Sequence, residues 1–149
     1  MRKRAEIKLI VVGVDGSDSS RAALQWAYDE AAHHAAVLTV VNAWHPPSLP
    51  MAPPYGHLPP EDYESQPRRE AMALLEQFTG QLLPKTPAVD VRTSVVEGKN
   101  PAEVLIERSG EADLLVIGSR GHGGFVGMLL GSVSQHLVGH ASCPVVVVR

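Results

Sequence analysis

The sequence predicts an α/β fold in which helices cover both faces of a parallel sheet. Three observations support this prediction. Short apolar runs rich in β-branched residues recur along the chain, helical patterns fill the gaps between them, and 44% of the 149 residues are hydrophobic. Strands that alternate with helices form parallel sheets, and this length and composition suit one domain over residues 1–149.

The first third of the chain contains two predicted strands and one predicted helix. Ile7–Val14 and Ala36–Trp44 are nearly continuous apolar runs, which is typical of strands buried on both faces. Between them, Ser17–Ser20 offers N-caps for a helix that continues through Ala31. The segment from about 45 to 60 holds seven of the 12 prolines. It is predicted to be a long loop, either a lid or partner contact or a plain surface excursion.

The rest of the chain continues the alternation. A helix is predicted from Glu61 to Leu83, and an alternating strand near a sheet edge from Val89 to Val96. Pro101 suits the first position of a helix through Ser109. The fourth strand is Asp113–Ile117, and after one more helix the chain ends in the apolar strand Pro144–Val148.

Composition excludes several classes of protein. The net charge is −3, from 13 basic and 16 acidic residues, so the chain as a whole has no electrostatic footprint for nucleic acid. The basic run at residues 1–4 is interpreted as a solvated tail. Cys143 is the single cysteine and cannot form an internal disulfide. No apolar run approaches the ~20 residues that span a bilayer. We therefore expect a cytoplasmic protein that contacts neither nucleic acid nor membrane.

Glycines are concentrated after the fourth predicted strand. Seven of the 13 lie between Gly118 and Gly139, so the backbone there either turns sharply or is approached closely. Gly131 and Ser132 begin the next helix, whose free N–H groups favour an anion. Ser132 and Ser134 add hydroxyl donors. In doubly wound sheets ligands bind at such strand ends, so the stretch is a candidate phosphate site.

A purely structural interpretation of the same stretch is also open. Ser132 and Gln135 have the spacing of a capping box, in which Ser132 caps the helix and Gln135 reaches back. That arrangement leaves the earlier glycines unexplained. Two common phosphate motifs do not fit, because the stretch has no P-loop lysine and its glycines are misplaced for the dinucleotide fingerprint.

The pattern that does fit is Gly118, two residues, Gly121, nine residues, Gly131-Ser132. Together with VGVDGS at the end of the first strand and CPVVVVR at the C-terminus, it resembles the universal stress protein family over nearly the whole chain. Family members in which this pattern is intact are typically the ATP-binding kind. The resemblance implies a five-stranded sheet of order 3-2-1-4-5 and homodimers that pair through the edge strand Val145–Val148.

The resemblance also implies a set of nucleotide contacts. Asp15 would face the nucleotide and help to hold Mg²⁺ or Mn²⁺, although Asp before Gly is also ordinary turn chemistry. Gly13 would let the adenosine lie close, and the backbone of Val41 would contact the adenine. The implied contacts in the glycine loop and the next helix are Gly118, Ser119, Arg120, Gly121, His122, Gly123, Gly131, Ser132, Val133 and Ser134.

The predicted function is that of an ATP-binding regulatory protein of the stress response, which signals to an unidentified protein partner. Two alternatives stay open: a slow ATPase or phosphotransferase, and a dimeric interaction module that binds another adenine nucleotide. No catalytic residue is proposed. His136 and His140 are four apart on a predicted helix and could share a metal, but the HExxH arrangement that would strengthen this signal is missing.

Overall fold

The computed structural model describes residues 5–44, 65–98, 100–121 and 130–149. Five strands alternate with four helices over these ranges. In chain order they are β1 (Leu9–Gly13), α1 (Asp18–His34), β2 (Val37–Trp44), α2 (Ser65–Leu82), β3 (Val91–Glu97), α3 (Pro101–Ser109), β4 (Leu114–Gly118), α4 (Ser132–His140) and β5 (Val145–Val148). The predicted proline-rich loop at 45–60 lies outside the described residues.

All strand pairs in the sheet are parallel, and the strand order is β3-β2-β1-β4-β5. The central strand β1 pairs with β2 through Val12 and Val40, and with β4 through Val12 and Val116. The predicted order is therefore confirmed, with β3 at one edge and β5 at the other. The order reverses between β1 and β4, and this reversal creates a crevice at their carboxyl ends.

Two hydrophobic cores lie on opposite faces of the sheet. The core under α1 and α2 includes Ile10, Leu24, Leu38 and Phe78, and the core under α3 and α4 includes Leu105, Leu115, Ile117 and Leu137. Successive residues of a strand point to opposite faces, so β1 supplies Ile10 to the first core and Val11 to the second. This explains why the central strands are continuous apolar runs.

The helix starts follow from local chemistry. Ser17 caps α1 by accepting from the N–H of Ser20 at 3.2 Å, as expected for a serine at this position. Asn100 caps α3 by accepting from Ala102 N–H at 2.9 Å, and Pro101 occupies the first helical position as predicted. The described part of the predicted helix Glu61–Leu83 begins at Ser65, with Pro67 in its first turn, where a missing N–H costs little.

Candidate functional site at the carboxyl ends of β1 and β4

The crevice between β1 and β4 brings the first loop against the glycine loop. Asp15 follows β1, and its Oδ1 accepts hydrogen bonds from the N–H and the hydroxyl of Ser17. A Cβ placed on Gly121 would lie 2.8 Å from Asp15 Oδ2. The carboxylate therefore lies against the backbone of the glycine loop, and a side chain on Gly121 would crowd it.

The start of α1 is hydrogen-bonded to the backbone of the glycine loop at Arg120. Ser19 Oγ accepts from the N–H of Arg120 at 3.2 Å, and Ser17 Oγ lies 3.4 Å from the carbonyl oxygen of Arg120. A Cβ on Gly118 would lie 2.7 Å from the carbonyl carbon and 2.8 Å from the carbonyl oxygen of Ser19. Gly118 is thus required for the close approach of α1 to the end of β4.

The start of α4 is tied to the end of β4 by two hydrogen bonds. Gly131 N–H donates to the carbonyl oxygen of Ser119 at 2.6 Å, and the buried hydroxyl of Ser134 donates to the carbonyl oxygen of Gly118 at 2.8 Å. These bonds hold the helix terminus beside the crevice. The side chain of Ser134 is therefore already engaged within the protein.

The alternative capping-box interpretation of α4 is wrong. The N-cap is Gly131 rather than Ser132, and no side chain caps it among the described residues. Gln135 does reach back, but its Nε2 donates to the carbonyl oxygen of Leu130 at 3.3 Å. Ser132 is the first helical residue and its side chain is exposed. No side chain of the described residues occupies the positive dipole end of α4, which is where an anion would bind.

Two predicted contacts lie deeper in the sheet. A Cβ on Gly13 would lie 2.8 Å from Leu105 Cδ1, so the absence of a side chain there makes room for α3. Val41 lies three residues before the end of β2 with its side chain 1% exposed, and its carbonyl oxygen accepts from Val14 N–H at 2.9 Å. Contact of either residue with a nucleotide stays a prediction.

Arg120 lies on the α1 side of the crevice. It lines a cleft of about 330 Å³ that is bounded by the first turns of α1 and by the residues that follow β4 and β5. The lining residues are Asp18, Ser19, Ala22, Ser119, Arg120 and Arg149. The predicted site residues His122 and Gly123 lie outside the described residues.

Ser17 and Ser19 are the residues of this site that the sequence reasoning missed. Both were interpreted only as N-cap candidates of α1, yet each contacts the backbone of Arg120. The run of serines directly after Asp15-Gly16 was the available signal. Capping a helix requires only one serine side chain. The additional serine hydroxyls after β1 therefore indicate contacts beyond the cap of α1.

The described residues also bear on metal-binding clusters and on membrane-spanning helices. Within residues 5–44, 65–98, 100–121 and 130–149, no three histidine, cysteine or acidic side chains gather closely enough to hold an ion. A cation at Asp15 stays a prediction, since a nucleotide would have to supply the other ligands. No helix in the described parts of the chain is long and apolar enough to cross a membrane.

The fold and the site define a doubly wound α/β protein with a carboxylate and a helix N-terminus at its topological switch point. Comparison with known proteins gives the family. The family model described as the universal stress protein family matches residues 6–149. The chain belongs to this family.

Individual relatives agree with this result. Universal stress protein Rv2005c of Mycobacterium tuberculosis is 36% identical over 140 residues, which are 94% of this chain and 45% of the relative. The solved structure of universal stress protein UspA from Lactobacillus plantarum is 27% identical, with a TM-score of 0.72 over 98% of this chain and 100% of that chain. A universal stress protein solved in complex with cAMP is 29% identical, with a TM-score of 0.61 and coverage of 97% and 98%.

The match covers nearly all of this chain but less than half of the relative Rv2005c. This chain spans about 45% of the length of Rv2005c. What the longer relative does as a whole is therefore not carried over to this chain.

Proposed function

We propose that this chain is an ATP-binding regulatory protein whose nucleotide lies in the crevice between β1 and β4. One observation carries the proposal. The N-terminus of α4, which no side chain of the described residues caps, meets Gly118–Gly121 and the Asp15 carboxylate at the strand ends where the sheet order reverses. Backbone N–H groups at such a terminus bind phosphate oxygens, and glycine lets a ligand come close to the loop.

The proposal includes a divalent cation, Mg²⁺ or Mn²⁺, bound with the nucleotide. Asp15 carries a negative charge beside the loop that would receive the phosphates, and two anions repel each other. A cation between carboxylate and phosphate removes this repulsion, and Mg²⁺ typically binds through one or two carboxylates together with substrate phosphates. Asp15 would be the protein ligand.

The likeness to a relative supports an adenine nucleotide. The universal stress protein solved with cAMP has the same fold and is 29% identical over nearly the whole chain. Its ligand combines an adenine base with a phosphate. For the present chain we propose ATP, because the Gly118, Gly121 and Gly131-Ser132 spacing is intact and α4 offers several first-turn donors.

A pair of variants at one exposed position tests the proposal. Ser132→Asp adds a negative charge at the first residue of α4, and Ser132→Asn adds a neutral side chain of the same size. The aspartate favours the helix dipole, so it should leave the fold intact or stabilise it by about 0.3–1 kcal/mol. It should weaken ATP binding by about 1–3 kcal/mol, roughly 5- to 150-fold, since like charges then lie within a few ångströms.

Isothermal calorimetry with ATP and Mg²⁺ gives the readout. The proposal predicts binding to the wild-type chain and to Ser132→Asn, and much weaker binding to Ser132→Asp. Equal affinity in both variants would place the phosphates elsewhere. No binding to the wild-type chain would contradict the proposed function itself.

Slow hydrolysis of the nucleotide stays an open alternative. Phosphoryl transfer needs a positioned base and strong neutralisation of charge. Replacement of His122 by alanine separates ATP hydrolysis from ATP binding. If His122 is catalytic, the variant should hydrolyse ATP more slowly and bind it with unchanged affinity.

We also propose that β5 pairs with β5 of a second copy of the chain. This strand consists of four half-buried valines at the sheet edge, and an apolar edge of this kind is normally covered. The carbonyl oxygens of Pro144 and Val148 accept hydrogen bonds from the N–H groups of Leu115 in β4 and of Ser119, which follows β4. Because N–H and C=O groups alternate in direction along a strand, Val145 and Val147 direct theirs outward.

Val147→Pro tests this pairing. Proline removes an outward N–H and leaves the bonds to β4 in place, which is the position where edge strands tolerate it. The proposal predicts a dimer for the wild-type chain and a monomer for the variant in sedimentation velocity experiments. An unchanged dimer in the variant, or a monomeric wild-type chain, would show that β5 is not the interface.

A further inference from the structure

We infer that His136 and His140 on α4 form a binding site for a single transition-metal ion, with Zn²⁺ as the reference ion. The site is separate from the proposed cation at Asp15, which would be bound by oxygen atoms. It rests on the arrangement of two exposed imidazoles on one helix face. The inference does not depend on nucleotide binding.

The two imidazole rings are already side by side. Residues four apart lie on the same face of a helix, one turn above the other. The ring centroids of His136 and His140 are 4.4 Å apart and the rings are 16° from parallel. Both residues are exposed, so an ion can reach them from solvent without any rearrangement of the core.

A hydrogen bond sets the tautomer of one ring. Nδ1 of His140 lies 2.9 Å from the carbonyl oxygen of His136. A carbonyl oxygen only accepts, so Nδ1 donates this hydrogen bond, and in the neutral form of the ring that binds metals the lone pair is then on Nε2. Histidines that bind metals commonly donate the other ring nitrogen to a carbonyl oxygen, which fixes the orientation of the ring.

The spacing of the rings suits a single ion. Two imidazole nitrogens bound to one tetrahedral Zn²⁺ at about 2.0–2.1 Å stand about 3.3 Å apart. The ring centroids are 4.4 Å apart and the rings are stacked, so the His136 ring must turn about its side-chain torsions for both Nε2 lone pairs to point at one ion. Imidazole nitrogen suits Zn²⁺, Cu²⁺ and Ni²⁺ and does not favour Mg²⁺ or Ca²⁺. Water would complete the coordination shell, so we expect micromolar rather than nanomolar affinity.

The other described histidines form a natural control. His33 and His34 are adjacent in the sequence, their rings meet edge to face at 89°, and Nε2 of His34 lies 3.0 Å from Glu30 Oε1. Neighbouring residues on a helix point in different directions, so they do not hold one ion together. The remaining histidines of the chain are His45, His57 and His122.

Zinc titration of the untagged full chain tests the inference. Calorimetry with ZnCl₂ should show one binding event per wild-type chain, and His140→Gln should weaken it by roughly tenfold or more, because one of two protein ligands is lost. His33→Gln should bind as the wild-type chain does. Both replaced side chains lie on helix surfaces, and circular dichroism confirms that the variants fold.

Ring nitrogen spectroscopy gives a second, independent readout. In ¹⁵N spectra of the imidazoles, Zn²⁺ should shift the Nε2 signals of His136 and His140 together, while Nδ1 of His140 stays protonated. The inference is overturned if His140→Gln keeps wild-type affinity for zinc, if zinc shifts only other histidines, or if the wild-type chain does not bind zinc at submillimolar concentrations.

Discussion

Replacement of Gly118 by alanine should destabilise the protein even though it adds only one methyl group. The new Cβ would lie 2.7 Å from the carbonyl carbon and 2.8 Å from the carbonyl oxygen of Ser19, and it would also overlap Ser19 Oγ. Two of these three atoms belong to the backbone of α1 and cannot swing aside as the end of a side chain can. Either α1 or the end of β4 must move.

The size of the effect follows from the packing. Forcing one extra carbon into a well-packed contact typically costs about 1–3 kcal/mol. A domain of about 150 residues loses about 2–4 °C of melting temperature for each kcal/mol, so the midpoint should fall by about 2–12 °C. The movement would also strain the bond from Arg120 N–H to Ser19 Oγ. ATP affinity should therefore decrease together with stability.

Urea denaturation of Gly118→Ala and Gly80→Ala, each compared with the wild-type chain, provides the assay. A Cβ on Gly80 would meet no atom within 4 Å, and Gly80 lies inside helix α2. Alanine there should raise the free energy of unfolding by about 0.5–1 kcal/mol. If Gly118→Ala is as stable as the wild-type chain, the close approach of α1 to β4 is wrong.

Three more outcomes are expected. Ser134→Ala should lower the free energy of unfolding by about 0.5–1.5 kcal/mol, because the carbonyl oxygen of Gly118 loses a buried donor. Asp113→Ala should cost about 1–2 kcal/mol, since its carboxylate accepts two backbone N–H groups at the start of β1; urea titration measures both variants. Burial raises the pKa of the Cys143 thiol above its ordinary value. Less thiolate is then present at neutral pH, so iodoacetamide should react more slowly with the folded chain than with a free cysteine, and faster as the pH rises.

The order of strands and helices could be predicted from the sequence because buried elements are visible there as apolar patterns. Strands with both faces covered, such as β4, consist of apolar residues alone, and this needs no knowledge of the partner strands. The strand order came from the resemblance to a family. The Ser17 cap was predictable in the same way, since the capping oxygen and the capped N–H of Ser20 lie within three residues of each other.

The interior of the site could not be predicted because its contacts join distant parts of the chain. The bond between Ser19 and Arg120 connects residues 101 positions apart. Gly118 was interpreted as a turn or a place for a ligand, whereas its Cα faces the backbone of α1. Ser132 is a possible helix cap by sequence, but Gly131 takes that position, since its backbone is extended and its carbonyl oxygen accepts from the N–H of Gln135 at 3.0 Å.

Amide chemical shifts during titration with ATP and Mg²⁺ test the central claim most directly. The account predicts that the N–H signals of Ser132, Val133 and Ser134 shift together with those of Gly118–Gly121, and that the shifts saturate at one nucleotide per chain. Asp15→Asn should reduce the dependence of this binding on Mg²⁺. If saturating ATP leaves the first turn of α4 unchanged, or shifts only residues elsewhere on the chain, the proposed nucleotide site is wrong.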